Sequence, residues 1–179
     1  MSALVTIALG ANLPRGTDSP RDTLALAMAE MSSSESPLIG PRFSRIYRST
    51  PVLAEGPDFA NAVAVGRSDL SPLALLKWLH GIEVAFGRRR STSSNSFGPS
   101  AARTLDLDLI DVEGVAMNTS DLTLPHPRAS QRAFVMIPWA ELDPNRLVAL
   151  LPGVRQRVSA WAAACPTDAA LSPWEGALA

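Results

Sequence analysis

Two aspartates, Asp106 and Asp108, stand two residues apart in the run RTLDLDLI. Side chains alternate between the faces of a β-strand, so the leucines at 105, 107 and 109 would enter the core while both carboxylates share the opposite face. Adjacent carboxylates repel each other unless a divalent cation sits between them, and hard oxygen ligands suit Mg²⁺. Such a pair can also bridge two metal ions that clamp the oxygens of a phosphoryl transfer. The alternative is an edge strand whose solvent face happens to carry two aspartates.

Arginines flank the segment that precedes this strand. Arg88, Arg89 and Arg90 come before a stretch rich in Ser, Gly and Asn, Arg103 follows it, and the stretch contains no acidic residue. Guanidinium groups bind phosphate in a bidentate manner and neutralise charge as a phosphoryl group moves. Beside a candidate metal pair, the pattern therefore predicts an exposed, mobile phosphate-binding loop that closes over a nucleotide. Taken alone, it would suit a solvated basic loop.

Two histidines could contact a ligand. His80 and Glu83 are three residues apart in a helical stretch, so they share a face. His126 lies between Pro125 and Pro127, which restrict the backbone and would hold the imidazole at a fixed angle. Neither histidine has the spacing of a zinc site. For each one alone, an ordinary surface or hydrogen-bonded role is the alternative.

Aromatic and amide side chains suggest a second subsite. Phe59 and Asn61 would lie on the same face of a strand, and Phe134 is a further candidate. An aromatic ring can stack on a flat heterocycle while an amide donates to and accepts from its edge. Aromatic residues are more often part of a core, which is the alternative for both phenylalanines.

Strand and helix patterns alternate along the chain and would position these residues. Strands are predicted at residues 4–9, 43–47, 59–65 and 104–112. Helices are predicted at 22–31 and 72–86, residues 133–142 suit a helix or an apolar extended segment, and residues 154–164 suit a helix. A turn at Glu113 and Gly114 is expected to form a hairpin that continues into residues 115–117. Because no Gly-rich phosphate loop accompanies these elements, the pattern favours an α+β fold with a mainly antiparallel sheet over a Rossmann fold.

Length and composition limit the class of protein. The 179 residues, 46% of them apolar, can bury one core and are expected to form a single domain, 1–179. The net charge of -1 argues against a surface built to bind nucleic acid. The single cysteine, Cys165, excludes a disulfide within the chain, fits a reducing compartment and is expected to be a small apolar residue. The N-terminal run lacks a positively charged segment and no run approaches the ~20 apolar residues of a membrane span, so a cytoplasmic protein without membrane contact is expected.

Several segments together resemble the 6-hydroxymethyl-7,8-dihydropterin pyrophosphokinase family. They are ALGANL, YRSTPV, PDFANAV, LLKWLHGIEVAFGRRR, RTLDLDLI, LTLPHPR and RAFVMIPWAELDP, in the expected order over about residues 4–144. The resemblance implies a three-layer α/β/α arrangement with a ferredoxin-like core and a monomer. It also implies transfer of pyrophosphate from ATP to the hydroxymethyl pterin in folate biosynthesis, giving AMP and the pterin diphosphate. Residues 153–179 would form a C-terminal extension whose structure is left open.

The resemblance also implies roles for individual residues. Asp106 and Asp108 would bind two Mg²⁺ ions that bridge the ATP phosphates, and Arg88 and Arg103 would join them as catalytic residues. The implied ATP-binding residues are His80, Glu83, Arg88, Arg90, Leu109, Leu122, Thr123, His126 and Arg132. The implied pterin-binding residues are Ser49, Thr50, Phe59, Asn61, Phe97, Asp106 and Phe134, with Phe59 and Phe134 stacking on the ring. The expected partners are therefore the two small-molecule substrates, without nucleic acid or membrane.

Two alternative functions follow from particular residues. In FGPSAAR, Phe97 replaces the family's usual tryptophan and three residues separate Pro99 from Arg103. A non-catalytic homologue with this altered loop would bind pterin or nucleotide without forming AMP. A ferredoxin-like RNA-binding module would use Phe59 and Phe134 as stacking platforms. That module would need a basic sheet face, whereas this face carries two aspartates.

Overall fold

The computed structural model describes residues 2–51, 57–88, 103–166 and 171–175. Arg90 and Phe97, with the rest of the predicted phosphate-binding loop, lie outside these residues. The strands are β1 (Ala3–Ala11), β2 (Ile39–Phe43), β3 (Tyr47–Ser49), β4 (Phe59–Ser68), β5 (Asp106–Val112), β6 (Met117–Asn118), β7 (Thr123–Leu124), β8 (Leu147–Leu151), β9 (Val154–Arg157) and β10 (Leu171–Pro173). The helices are α1 (Pro20–Met31), α2 (Pro72–Ala85), α3 (Ala133–Leu142) and α4 (Val158–Ala164), with a short 3₁₀ turn at Ala129–Gln131.

The main sheet has the strand order β10-β3-β4-β1-β5, with β2 also paired to β4. Each of these described pairings is antiparallel, which confirms the predicted kind of sheet. The register aligns four residues in a row across the sheet: Asp106 opposite Gly10, Gly10 opposite Asn61, and Asn61 opposite Tyr47. Because residues that face each other across strands lie on the same side of a sheet, this row joins the aspartate strand to the strand that carries Asn61.

Helices cover both faces of the sheet. On one face, α1 and α2 contribute Leu24, Leu75 and Leu79 to a first core that also contains the leucines at 105, 107 and 109. On the other face, α3 and α4 contribute Trp139 and Trp161 to a second core. The molecule is thus a three-layer α/β/α structure, as expected. An RNA-binding sheet needs a broad open face for base stacking, whereas the described helices pack against both faces of this sheet.

The helix starts follow from local sequence. Ser19 and Asp22 form a capping box at α1, in which each side chain bonds the backbone N–H of the other at 3.2 Å. Ser71 caps α2 by accepting a hydrogen bond from the Ala74 N–H at 3.3 Å. A proline follows each capping serine, at the position where its missing N–H is not needed. Both predicted starts are confirmed to within two residues.

The predicted strand at 43–47 is wrong in its boundaries. The chain forms two short strands, β2 and β3, interrupted at residues 44–46. The Ser44 side chain explains the interruption because its hydroxyl accepts from the Val63 N–H at 3.0 Å and donates to the Arg45 carbonyl at 2.8 Å. The Ser44 hydroxyl thus takes the Val63 N–H that a regular backbone ladder would use, while the Ser44 N–H still donates to the Val63 carbonyl at 2.9 Å.

The hairpin expected after β5 is also wrong. Gly114 makes the turn with a positive φ of 76°, but Met117 pairs with Leu124 of β7. The outer edge of β5 is already bonded there, because the His126 N–H donates to the Ile110 carbonyl at 2.8 Å.

The predicted helix at 154–164 is correct only in its second half. Gly153, with a φ of 73°, turns the chain so that β9 pairs with β8, and α4 begins at Val158. Val148 and Leu150 alternate into the second core, which anchors this hairpin. Cys165, also buried in the second core, behaves as the small apolar residue that was predicted. None of the helices in the described ranges is long and apolar enough to span a membrane.

Candidate active site

A cavity of about 420 Å³ lies along the outer edge of β5, between α2 and the segment 119–127. It brings together ten of the residues predicted to take part in ATP binding or catalysis: His80, Glu83, Arg88, Arg103, Asp106, Asp108, Leu109, Leu122, Thr123 and His126. Leu109 contributes to the wall although its side chain belongs to the first core. Thr119, Ser120 and Asp121 also line the cavity. The family resemblance pointed to the position of Asp121, whereas Thr119 and Ser120 were missed, because a short polar segment carries no sequence pattern that indicates a site.

Two arginines bind the Asp106 carboxylate. Arg88 Nη1 lies 2.7 Å from Asp106 Oδ1, and Arg103 Nη1 donates to Asp106 Oδ2. All three side chains are between 21% and 26% exposed, so solvent can still reach this cluster. The two guanidinium groups therefore lie at the cavity, next to the Asp106 carboxylate. Guanidinium groups form strong charge-assisted hydrogen bonds with phosphate.

Glu83 of α2 bonds both Arg88 and the backbone of β5. Its side chain is 1% exposed, and Oε1 accepts hydrogen bonds from the Leu107 N–H at 2.8 Å and from Arg88 Nη1. Leu107 is the residue between the two aspartates. These contacts link the buried Glu83 carboxylate to the backbone of the aspartate strand and to Arg88.

Asp108 is bound by a different arginine. Arg132 Nη1 lies 3.1 Å from Asp108 Oδ2, and its guanidinium carbon lies 5.6 Å from the centre of the Phe134 ring. Burial lowers the pKa of Arg132, while Asp108 acts in the opposite direction. Arg132 thus connects the aspartate pair to one of the two predicted stacking rings.

His126 is held in one tautomer. Its Nδ1 accepts a hydrogen bond from the Arg128 N–H at 3.2 Å, so in the neutral ring the proton is on Nε2. Burial lowers the pKa of His126 below its ordinary value, partly offset by the negative charge of Asp108. The imidazole at the cavity is therefore a neutral N–H donor.

The predicted pterin side lies on the sheet face next to Asp106. Asn61 is 4% exposed, and its Nδ2 donates to Ser49 Oγ at 2.9 Å and to the Phe59 carbonyl at 3.3 Å. Its Oδ1 lies 4.0 Å from the position that a Cβ on Gly10 would take. Gly10 therefore leaves open space between Asn61 and Asp106, and the fixed amide presents its oxygen there.

The remaining described residues predicted to bind the pterin are Ser49, Thr50, Phe59 and Phe134. Phe59 is half-buried on the same sheet face as Asn61, and Phe134, also half-buried, packs against the second core from α3. Ser49 is buried and Thr50 is exposed. The structure thus places Ser49, Phe59 and Asn61 together, whereas the stacking of Phe59 and Phe134 on one ring stays a prediction.

The aspartate pair suits a metal that keeps ligands from elsewhere. Within the described residues, no group of three or more His, Cys, Asp or Glu side chains could hold a metal ion. Mg²⁺ retains several waters and is commonly held by one or two carboxylates together with substrate phosphates. Asp106 and Asp108, on one strand face at the cavity, are a donor set of that kind.

Comparisons with known proteins identify the family of the chain. A family model for 7,8-dihydro-6-hydroxymethylpterin-pyrophosphokinase (HPPK) matches residues 6–144. The chain is 36% identical over 143 residues to a 2-amino-4-hydroxy-6-hydroxymethyldihydropteridine pyrophosphokinase of Pseudomonas aeruginosa, covering 79% of this chain and 81% of that protein. A protein of the same name from Synechocystis sp. is 41% identical over 104 residues, which is 58% of this chain and 50% of the relative. The match thus spans about half the length of that second relative.

A solved structure shows the same fold. The crystal structure of an HPPK-DHPS protein in complex with substrates superposes with a TM-score of 0.63 at 11% identity, over 90% of this chain and 45% of that one. At this level of identity the likeness concerns the fold alone. Because the family model covers most of the chain, including the aspartate pair and Asn61, the chain belongs to the 7,8-dihydro-6-hydroxymethylpterin-pyrophosphokinase family.

Proposed function

We propose that this protein transfers the pyrophosphoryl group of ATP to the hydroxymethyl group of 6-hydroxymethyl-7,8-dihydropterin, forming AMP and the pterin diphosphate. One observation carries the proposal: Asp106 lies both at the cavity along β5 and in the row that leads through Gly10 to Asn61. A nucleotide in the cavity and a pterin over Gly10 would therefore meet at the aspartate pair.

The nucleotide half would depend on charge neutralisation. Asp106 and Asp108 would hold Mg²⁺, which supplies charge neutralisation for the phosphates and orients them. Arg88 and Arg103, which bind Asp106 in this structure, would bind the triphosphate. His126 would donate a hydrogen bond from its Nε2–H to a phosphate or ribose oxygen. Arg90 is proposed to join them from the part of the chain outside the described residues.

The pterin half would depend on orientation. Because both protons of the Asn61 amide are used by Ser49 and Phe59, Asn61 can only accept, which selects a ring edge that presents an N–H donor. Phe59 and Phe134 would stack on the ring. The hydroxymethyl oxygen would form a bond to the β-phosphorus of ATP and release its proton to solvent. The bond from that phosphorus to the oxygen bridging to the α-phosphate would break, and AMP would leave with that oxygen. Catalysis would come mainly from positioning and preorganised charge.

The test is AMP formation from ATP. We expect AMP only when both the pterin and Mg²⁺ are present, and none with excess EDTA. A folded protein that binds the pterin without forming AMP would instead be the non-catalytic homologue. We further expect a cytoplasmic monomer, which sedimentation and cell fractionation would check.

A further inference from the structure

The C-terminal strand joins the sheet outside the region that matches the family model. The match to the family model ends at residue 144. The later strand β10 nevertheless pairs with β3, with Leu171 opposite Ser49 and Pro173 opposite Tyr47. The Trp174 N–H adds a hydrogen bond to the Ile46 carbonyl at 2.8 Å. We call residues 171–174 the C-terminal strap. The strap occupies the edge of β3 that β4 leaves open.

The strap contacts β3 from both faces of the sheet. Leu171 lies on the face of Ser49 and packs against the second core, as Phe134 does. Trp174 packs against the first core on the opposite face, and its ring centre lies 5.6 Å from the guanidinium carbon of Arg48. A strand held in this way has little freedom to shift along its axis or tilt away from β4.

The contacts of the strap continue into the pterin side of the site. Arg48, which Trp174 contacts, also bonds Asp58 through Nε and Oδ2 at 2.5 Å, and Asp58 is the neighbour of Phe59. The next residue of β3, Ser49, holds the Asn61 amide. The strap therefore contacts the end of β3 directly and the start of β4 through Arg48 and Asp58. These contacts help to fix the orientation of Asn61, which Ser49 binds.

We propose that the C-terminal strap positions the pterin-binding half of the site without acting on the nucleotide half. The proposal rests on the proposed function. The nucleotide cavity lies along β5, at the other edge of the sheet, with β4 and β1 between β5 and the strand that the strap supports. Loosening the strap should therefore weaken the binding of one substrate only, whereas a general loss of folding would affect both.

The first variant is Trp174→Ala. Loss of one cation–π contact on an exposed arginine should raise the KM for the pterin about three- to tenfold, with kcat and the KM for ATP within about twofold. Trp174→Phe keeps an aromatic face and should restore most of the affinity. Arg48→Gln, which removes the charge of an exposed side chain, should act in the same direction as Trp174→Ala, so the proposal can be tested even if the tryptophan variant does not fold.

The matched control is Arg67→Ala. Arg67 is a similarly exposed arginine near the other end of β4, paired with Glu113, so this variant removes a comparable ion pair far from the strap. Its KM for both substrates should remain that of the wild type. A parallel rise of both KM values in Trp174→Ala and Arg48→Gln, or no change in the pterin KM, would overturn the proposal.

A binding measurement separates this proposal from the proposed function. The oxidised analogue 6-hydroxymethylpterin is fluorescent, and its Kd can be titrated in the presence of Mg²⁺ and a non-hydrolysable ATP analogue. If the wild type forms no AMP, the proposed function fails. Weaker binding of the analogue by Trp174→Ala, together with near wild-type binding by Trp174→Phe, would still support the role of the strap. An unchanged Kd in both Trp174→Ala and Arg48→Gln would overturn it.

Discussion

The Glu83 carboxylate bonds the backbone N–H of Leu107 at 2.8 Å, and so fixes the strand at the residue between the two aspartates. The same oxygen binds Arg88, which in turn binds Asp106. A buried acid on α2 therefore determines both where the aspartate strand lies and where one of its arginines points.

Glu83→Ala is expected to be strongly destabilising. The substitution leaves the Leu107 N–H without this acceptor and removes a charge that pairs with Arg88, so the free energy of unfolding should fall by about 3 kcal/mol. Glu83→Gln keeps an acceptor oxygen and should lose about half as much. Urea denaturation measures both changes. Glu30→Ala, an exposed acid on α1, is the control, and an Ala variant as stable as this control would contradict the role of Glu83.

Asp106→Ala is expected to abolish turnover without unfolding the protein. Its partners Arg88 and Arg103 are partly exposed, so losing the carboxylate should cost only about 1 kcal/mol of unfolding free energy. The rate of AMP formation should fall about a thousandfold, equivalent to roughly 4 kcal/mol of transition-state stabilisation. Glu113→Ala removes an exposed carboxylate just beyond the other end of β5 and should keep wild-type turnover. Loss of several kcal/mol in the Asp106 variant would indicate a structural role instead.

Gly10→Ala is expected to impair pterin binding selectively. The new Cβ would lie 4.0 Å from Asn61 Oδ1, an ordinary contact, so the fold should tolerate it. It would nevertheless fill the space where the ring is proposed to lie, raising the KM for the pterin about five- to thirtyfold, or roughly 1–2 kcal/mol. Gly81→Ala on α2, which has nothing within 4 Å of its added Cβ, should leave both KM values unchanged and raise the stability slightly. Equal kinetics for the two variants would argue against a ring over Gly10.

The burial of His126 predicts a pH dependence of stability. Because the pKa of His126 is lowered in the folded state, the unfolded chain takes up a proton first as the pH falls. This contribution to stability is complete above the unfolded value of about 6.5 and is lost as the pH falls from there through the folded pKa. The free energy of unfolding, measured between pH 8 and 5, should therefore decline more steeply in the wild type than in His126→Gln. Parallel curves would show that His126 is not the group responsible.

Local sequence patterns predicted the parts of this structure that local physics determines. The alternation at 105–109 placed the leucines in the core and the aspartates on one face, and Ser19 and Ser71 marked the helix starts. The pairing of β5 with β1 was not predictable in this way, because strand partners distant in sequence are chosen by the packing of the whole sheet.

The site was predictable in its charged residues but not in its supports. The carboxylates and arginines stand out by type and spacing, and Asn61 by its place on the strand face of Phe59, whereas only the family resemblance brought Ser49 into the prediction. The burial of Glu83, the interruption at Ser44 and the position of Trp174 each depend on a contact between residues far apart in sequence. Nothing in the local pattern near these residues reports such contacts.

The residues around the cavity also cover the outer edge of β5. An open strand edge presents unpaired N–H and C=O groups on which another chain can build a sheet. Here the Leu107 N–H donates to the Glu83 carboxylate, and the Ile110 carbonyl accepts from the His126 N–H. These two groups of the β5 edge are therefore not available to bond another strand. At the opposite edge, the backbone N–H of Trp174 points inward and donates to the Ile46 carbonyl. Backbone N–H groups alternate in direction along a strand, so the outward position next to it is Pro173, which has no backbone N–H. The edges formed by β5 and β10 therefore resist the addition of another strand.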